Sequence, residues 1–221
     1  MEITFYMDKY EQATYKFFKW RYELNFINKV ALALCFACLT GLLAQLKFYL
    51  PWTPVPITGQ TFAVLLSGVL LGRWGGISQA MYAGIGVAGV PWFACWNSGI
   101  GVITGATGGY IIGFIIAAFF LGYFVDKYIR SRCFLSMLLL MLFANFVLIH
   151  GAGLLQLYLW LSFAKGYSPT LWELLMMGMI PFIVGDITKI VMAAAVTKGI
   201  TPKRAYNSEV DEDKLKSWRL P

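Results

Sequence analysis

Long apolar runs alternate along the chain with short breaks rich in glycine, proline or charge. A helix needs about 20 apolar residues to cross a hydrocarbon core of ~30 Å. On that basis the pattern predicts six membrane helices, at about 28–48, 60–71, 75–90, 107–128, 133–163 and 181–196. The second is short and the third is rich in glycine. Ahead of the sixth, "PTLWELLMMGM" (169–179) reads as a separate helix in the outer interface. It starts from a capping-like Ser168–Pro169 pair and carries Glu173. Pro181 then suits the first turn of the sixth span. Backbone groups in lipid must pair within their own segment, and strand-like alternation in ~10-residue units is absent. The expected fold class is all-α: a polytopic membrane protein with six transmembrane helices.

Composition agrees. Of 221 residues, 59% are hydrophobic and only 13% are charged. Mean hydropathy is +0.66, and a soluble domain rarely carries so little charge. The placement of the 18 Lys and Arg then orients the chain. Lys9, Lys16, Lys19, Arg21 and Lys29 precede or enter the first span, and Arg73 lies between the second and third. Lys127, Arg130 and Arg132 lie between the fourth and fifth. Lys198, Lys203, Arg204, Lys214, Lys216 and Arg219 follow the sixth. Only Lys47 and Lys165 fall on the other side, and Lys189 lies inside a span. The positive-inside rule therefore puts both termini in the cytoplasm. The net charge of +7 is a topology signal, not a nucleic-acid footprint.

Three regions follow. Residues 1–27 are too acidic for a signal peptide (Glu2, Asp8, Glu11, Glu23) and suit a helix on the cytoplasmic face. Residues 28–198 form the six-helix domain. Residues 199–221 form a polar cytoplasmic tail, expected to be loose.

Candidate chemistry concentrates in "PFIVGDITKIVMAAAV" (181–196). Asp186 and Lys189 are the charged residues well inside a predicted span, and each costs ~2.5–3.5 kcal/mol at a helix centre. A spacing of three puts both on one helix face. They form either a mutual ion pair that stabilises the bundle or a ligand site facing its interior. The outer loops favour the ligand site. "PWTPVPITGQT" (51–61) is stiffened by prolines and delivers Thr58 and Gln60 to the top of the second span. "GVPWFACWNSGIGVITGATGGY" (89–110) is glycine-rich, carries no charge and ends on Tyr110. Such backbone is tolerated at membrane depth where it lines or covers a cavity, so it reads as a lid. Asn97 would supply an amide. Trp92 and Trp96 would supply either flat apolar walls or an interfacial belt. In the first span, Ala33, Ala37 and Gly41 recur at steps of four. Such a stripe serves either a partner helix or internal packing.

Four stretches carry a resemblance: "PVPITGQTFAVLLSGVLLG" (54–72), "GVAGVPWFA" (86–94), "TGATGGYIIGF" (104–114) and "PFIVGDITK" (181–189). In this order and spacing they resemble the BioY family, biotin-binding substrate subunits of energy-coupling-factor transporters. The chain departs from that pattern at "CWNSGIG" and in its aromatic amino-terminal extension. The resemblance implies a six-helix subunit that captures biotin from outside with high affinity. It also implies docking of the Ala-xxx-Ala face to a shared coupling subunit. The residues suit that ligand: Asp186 can accept ureido N–H bonds, Lys189 can donate to the ureido carbonyl, and Asn97 can do either. Gln60 or the loop amides would meet the valerate carboxylate.

The chain contains no Gly-Lys dipeptide, so it has no phosphate-cradling loop of the G-x-x-x-x-G-K-[ST] type. No cofactor is expected, and ATP would be used only by separate ATPase subunits. An intramembrane enzyme is disfavoured. His150 stands mid-span without an acid in sequence reach and reads as a packing or hydrogen-bonding residue. No metal site is expected, because Cys95 and Cys133 fall on opposite sides of the membrane. Cys35 and Cys38 read as small apolar core residues.

Overall fold

A computed structural model of the chain describes residues 2–207 and 209–211, with side chains from residue 9 onward. Lys214, Lys216 and Arg219 lie outside the described residues. Among the described residues ten α-helices dominate: α1 (Glu2–Glu23), α2 (Phe26–Ala44), α3 (Gln60–Leu71), α4 (Trp74–Val87), α5 (Ile100–Ile103), α6 (Gly108–Lys127), α7 (Phe134–Phe143), α8 (His150–Leu159), α9 (Leu171–Gly178) and α10 (Ile183–Ile200). A two-residue antiparallel pairing of Lys47–Phe48 with Ile57–Thr58 ties the first loop together.

Among the described residues, four segments are long and apolar enough to cross a membrane: Phe26–Ala44, Gly108–Lys127, Phe134–Ala164 and Leu171–Ile200. α3 and α4, at 12 and 14 residues, are shorter. Helix α6 is the axis of the bundle. It packs against α3, α4 and α8, while α2 lies on α3 and α4, and α10 on α3 and α7. Its glycines explain the close approach. A Cβ on Gly113 would stand 2.7 Å from the Ile149 Cα, and one on Gly122 2.1 Å from the Gly72 carbonyl oxygen.

The fifth predicted span is one rod, but it is not uniformly α-helical. It winds as a π-helix over Ala144–Ile149 and again over Trp160–Ala164. Its outer face shows Leu135, Leu139, Phe143, Val147, Leu155, Leu159 and Phe163, all exposed and on one four-residue register. In a membrane protein that stripe meets lipid. The same reasoning corrects the reading of Cys35 and Cys38 as core residues. Both are exposed on α2, because apolar surroundings in a bilayer lie outside the bundle as well as inside it.

The start of α9 differs from expectation. Thr170, not Ser168, is its N-cap, and it forms a capping box with Glu173. Pro181 occupies the first turn of the short 3-10 helix Ile180–Phe182 that leads into α10.

The tail also differs. Residues 202–207 and 209–211 are strapped across the end of the bundle rather than loose, and the rest of the predicted tail lies outside the described residues. Glu209 pairs with buried Arg132 at 2.5 Å. The Asp211 carboxylate accepts the backbone N–H groups of Ile129 and Arg130 at 2.8 and 2.9 Å. Arg21 of α1 donates to Asp126 at 2.6 Å and to the Tyr206 hydroxyl at 2.9 Å. Tyr206 in turn donates to Asp126, and burial pushes its phenol pKa above the ordinary value, which keeps that proton in place.

Candidate functional site

At the opposite end of α6 from Asp126 lies a cavity of about 400 Å³. The first turns of α3, α6 and α10 meet there beneath the loops that precede α3 and α6. Its apolar wall includes Val55, Phe93, Val102, Ile111, Phe114 and Phe182.

The polar side is built around Asp186, which is 3% exposed. One carboxylate oxygen, Oδ1, lies 2.5 Å from the Lys189 ammonium. The other, Oδ2, accepts from the Asn145 amide at 2.9 Å and faces His150 Nε2 at 2.7 Å. Helical spacing brings Lys189 to Asp186, whereas Asn145 and His150 arrive from the neighbouring rod. Lys189 also donates to the Thr58 carbonyl at 3.1 Å, which fixes the first loop over the site. The Thr58 hydroxyl donates to Gln60 at 2.9 Å, and Gln60 donates to the Tyr82 hydroxyl at 2.7 Å. One continuous network thus joins the π-helical stretch Ala144–Ile149, α8, α10, α3 and α4. Tyr110 closes the floor by donating to the Gly178 carbonyl at 2.6 Å.

Of the residues singled out in the sequence, Asp186, Lys189, Asn97, Gln60, Thr58 and Tyr110 all line this cavity. Trp92 and Trp96 do not. The Trp92 ring packs 5.5 Å from Tyr82, and its indole N–H donates to the Tyr82 carbonyl at 2.9 Å. Trp96 is 65% exposed. Cys95 and Trp96 have positive φ angles of 67° and 58°, a tight turn that carries the Trp96 side chain outward. The wall falls instead to Phe93, which is buried edge-on against Tyr82. Ala33, Ala37 and Gly41 are likewise turned inward. All three are buried within the chain, and a Cβ on Gly41 would stand 3.0 Å from Trp92. Of the two readings of that stripe, the geometry fits internal packing, and the exposed side of α2 is a different face.

His150 is the main addition. It lines the cavity and touches Asp186, so of its two readings, packing or hydrogen bonding, the second holds, with an acid that no sequence neighbour supplies. The acid comes from 36 residues further along the chain. Asn145 was also overlooked. The available signal was the placing of Asn145 and His150 at the middle of a largely apolar span, which inside a membrane points to function.

A helical bundle with several membrane-crossing segments, closed over a small cavity with an ion pair in its wall, defines a multi-pass membrane protein with a small-molecule site. The chain belongs to the BioY family, whose sequence model matches residues 12–206. A protein of Methanothermobacter thermautotrophicus named "Probable biotin transporter BioY" is 56% identical over 157 residues, covering 71% of this chain and 100% of that protein. The "Biotin transporter BioY" of Thermotoga maritima is 32% identical over 148 residues, covering 66% of this chain and 81% of that protein. Among solved structures, the S-component for biotin from an ECF-type ABC transporter superposes with a TM-score of 0.68 at 24% identity. That match covers 78% of this chain and 89% of the other, and it supports the fold.

Proposed function

We propose that the protein is a biotin uptake subunit. It captures biotin with high affinity from the outer side of the membrane, as the substrate-specificity component of an ECF-type ABC transporter. The observation that carries this reading is the Asp186–Lys189 pair in the wall of a cavity of about 400 Å³, in a chain of the BioY family. That volume falls within the ~300–1,000 Å³ of small-molecule sites. A cyclic urea offers two N–H donors and one carbonyl acceptor. Asp186 accepts from the N–H side, Lys189 donates to the carbonyl, and Asn97 adds an amide that can do either. Phe93, Phe114 and Phe182 suit the sulfur ring and valeryl chain. The valerate carboxylate lies toward the mouth, near Gln60 and the loop amides.

In this reading the membrane domain (28–198) has six transmembrane helices, with the shorter α3 and α4 completing the set. Both termini are cytoplasmic, in keeping with the Lys and Arg distribution. Residues 1–27 lie along the cytoplasmic face, and 199–221 form the cytoplasmic tail. The partners are a coupling transmembrane subunit and ATPase subunits that alone use ATP; this chain needs no cofactor of its own. The names of the relatives are those of transporters, not enzymes.

The test is equilibrium binding of biotin to the purified chain in detergent, with Asp186→Asn as control. Saturable binding by the wild type, abolished in the variant, is the expected result. No binding by a folded wild-type chain would refute the biotin site.

A further inference from the structure

Asp186 has two oxygens, and the protein does not treat them alike. Oδ2 has both of its lone-pair directions occupied, by Asn145 at 2.9 Å and by His150 at 2.7 Å. Oδ1 meets only Lys189 among the described residues, at 2.5 Å. A carboxylate oxygen offers about two acceptor sites, so the open one is on Oδ1, beside the ammonium.

The backbone is shaped to make this so. In a regular α-helix, residues five apart point about 140° away from each other at 3.6 residues per turn. Asn145 and His150 are five apart, yet both reach the same oxygen. The π-helical winding of Ala144–Ile149 lies between them. Its i→i+5 hydrogen bonding narrows that angle, and isolated π turns are frequent at functional sites. The His150 ring is then clamped. Phe146 stacks on it at 5.7 Å and 16°, Tyr110 stands edge-on at 5.7 Å, and Phe182 lies 5.8 Å away. Nδ1 faces the Gly178 carbonyl at 3.2 Å. A ring held on every side keeps Nε2 aimed at one point.

We propose that His150 and Asn145 are positioning residues for ligand selection. By occupying Oδ2 they fix the carboxylate so that Oδ1 and the Lys189 ammonium present one acceptor beside one donor. That edge selects a neighbouring N–H and carbonyl, as in a cyclic urea, over analogues in which the N–H is blocked. The inference rests on the biotin reading above.

The experiment compares affinities for biotin and for an analogue methylated on a ureido nitrogen, using the full chain in detergent. His150→Phe is expected to weaken biotin binding by about tenfold or more, the worth of a hydrogen bond to a charged group. The analogue should lose less, so selectivity narrows. His150→Gln keeps a donor within reach of Asp186 and is expected to recover most of the affinity and the selectivity. Unchanged biotin affinity in His150→Phe overturns the proposal. So does an equal loss for both ligands that His150→Gln does not repair, because a merely structural role would produce it. If His150→Phe does not fold, Asn145→Ala carries the test by removing the other donor to Oδ2, and unchanged affinity and selectivity there overturn it. A folded wild-type chain that binds neither ligand refutes the biotin reading and this inference together, whereas wild-type binding with indifferent variants refutes the inference alone.

Discussion

Three side chains converge on one buried carboxylate, and a charge pair in such a setting is a poor stabiliser. Desolvation offsets much of its attraction, so the Asp186–Lys189 pair accords with the proposed ligand site better than with a purely stabilising role. Lys189→Met removes the ammonium from Asp186 and from the Thr58 carbonyl at once. Biotin affinity measured by calorimetry should fall about tenfold or more, since charged hydrogen bonds are lost and a buried charge is left without its partner. Trp96→Ala is the contrasting case. Its side chain projects outside the cavity, so affinity should stay within a factor of about two, as for ordinary surface substitutions. A large loss there would show that the loop closes differently around ligand. At this scale much was legible. The charged pair and its i,i+3 spacing stand out against an apolar background. His150 and Asn145 did not, because their partner lies on another helix and nothing near them in the chain is acidic.

At the scale of elements, helix contacts rather than helix propensity hold the site in shape. Lipid supplies little hydrophobic drive between helices, so close packing carries the association. Gly109 sits where α6 crosses α8, and a Cβ there would stand 2.2 Å from the Ala152 carbonyl oxygen. Gly109→Ala is expected to destabilise the chain by about 1–3 kcal/mol through overpacking. The measurement is the unfolding midpoint in detergent, and an unchanged midpoint would mean that the two helices have slack. The apolar runs placed most helices to within a few residues. They did not reveal the π-helical stretches, since nothing in the periodicity of Ala144–Ile149 sets its winding apart from an α-helix until its neighbours are present. The small-residue stripe of α2 shows the same limit. Periodicity identifies a close-packing face, but only the position of Trp92 and α4 shows what that face meets.

At the scale of the whole molecule, the two ends have different characters. One holds the cavity. The other is fastened by α1, the turn after α6 and the strap of residues 202–207 and 209–211, through Arg21–Asp126, Arg132–Glu209 and Tyr206. Both side chains of the Arg132–Glu209 pair are buried, so Glu209→Ala leaves an uncompensated cation. Loss of one partner of such a pair costs about 3–5 kcal/mol. The expected result is a lower unfolding midpoint in detergent, with biotin affinity in the still-folded protein near that of the wild type. An unaltered midpoint would show the strap to be dispensable. The sequence by itself determined the membrane class, most helix positions and the Asp186–Lys189 pair, because hydropathy and helical spacing are local properties written in consecutive residues. Only the tertiary structure decided that His150 and Asn145 join that pair, that Phe93 rather than the tryptophans forms the wall, and that residues 202–207 and 209–211 are fastened. Each of these depends on contacts between segments tens of residues apart, and no local pattern encodes which of two apolar faces turns inward.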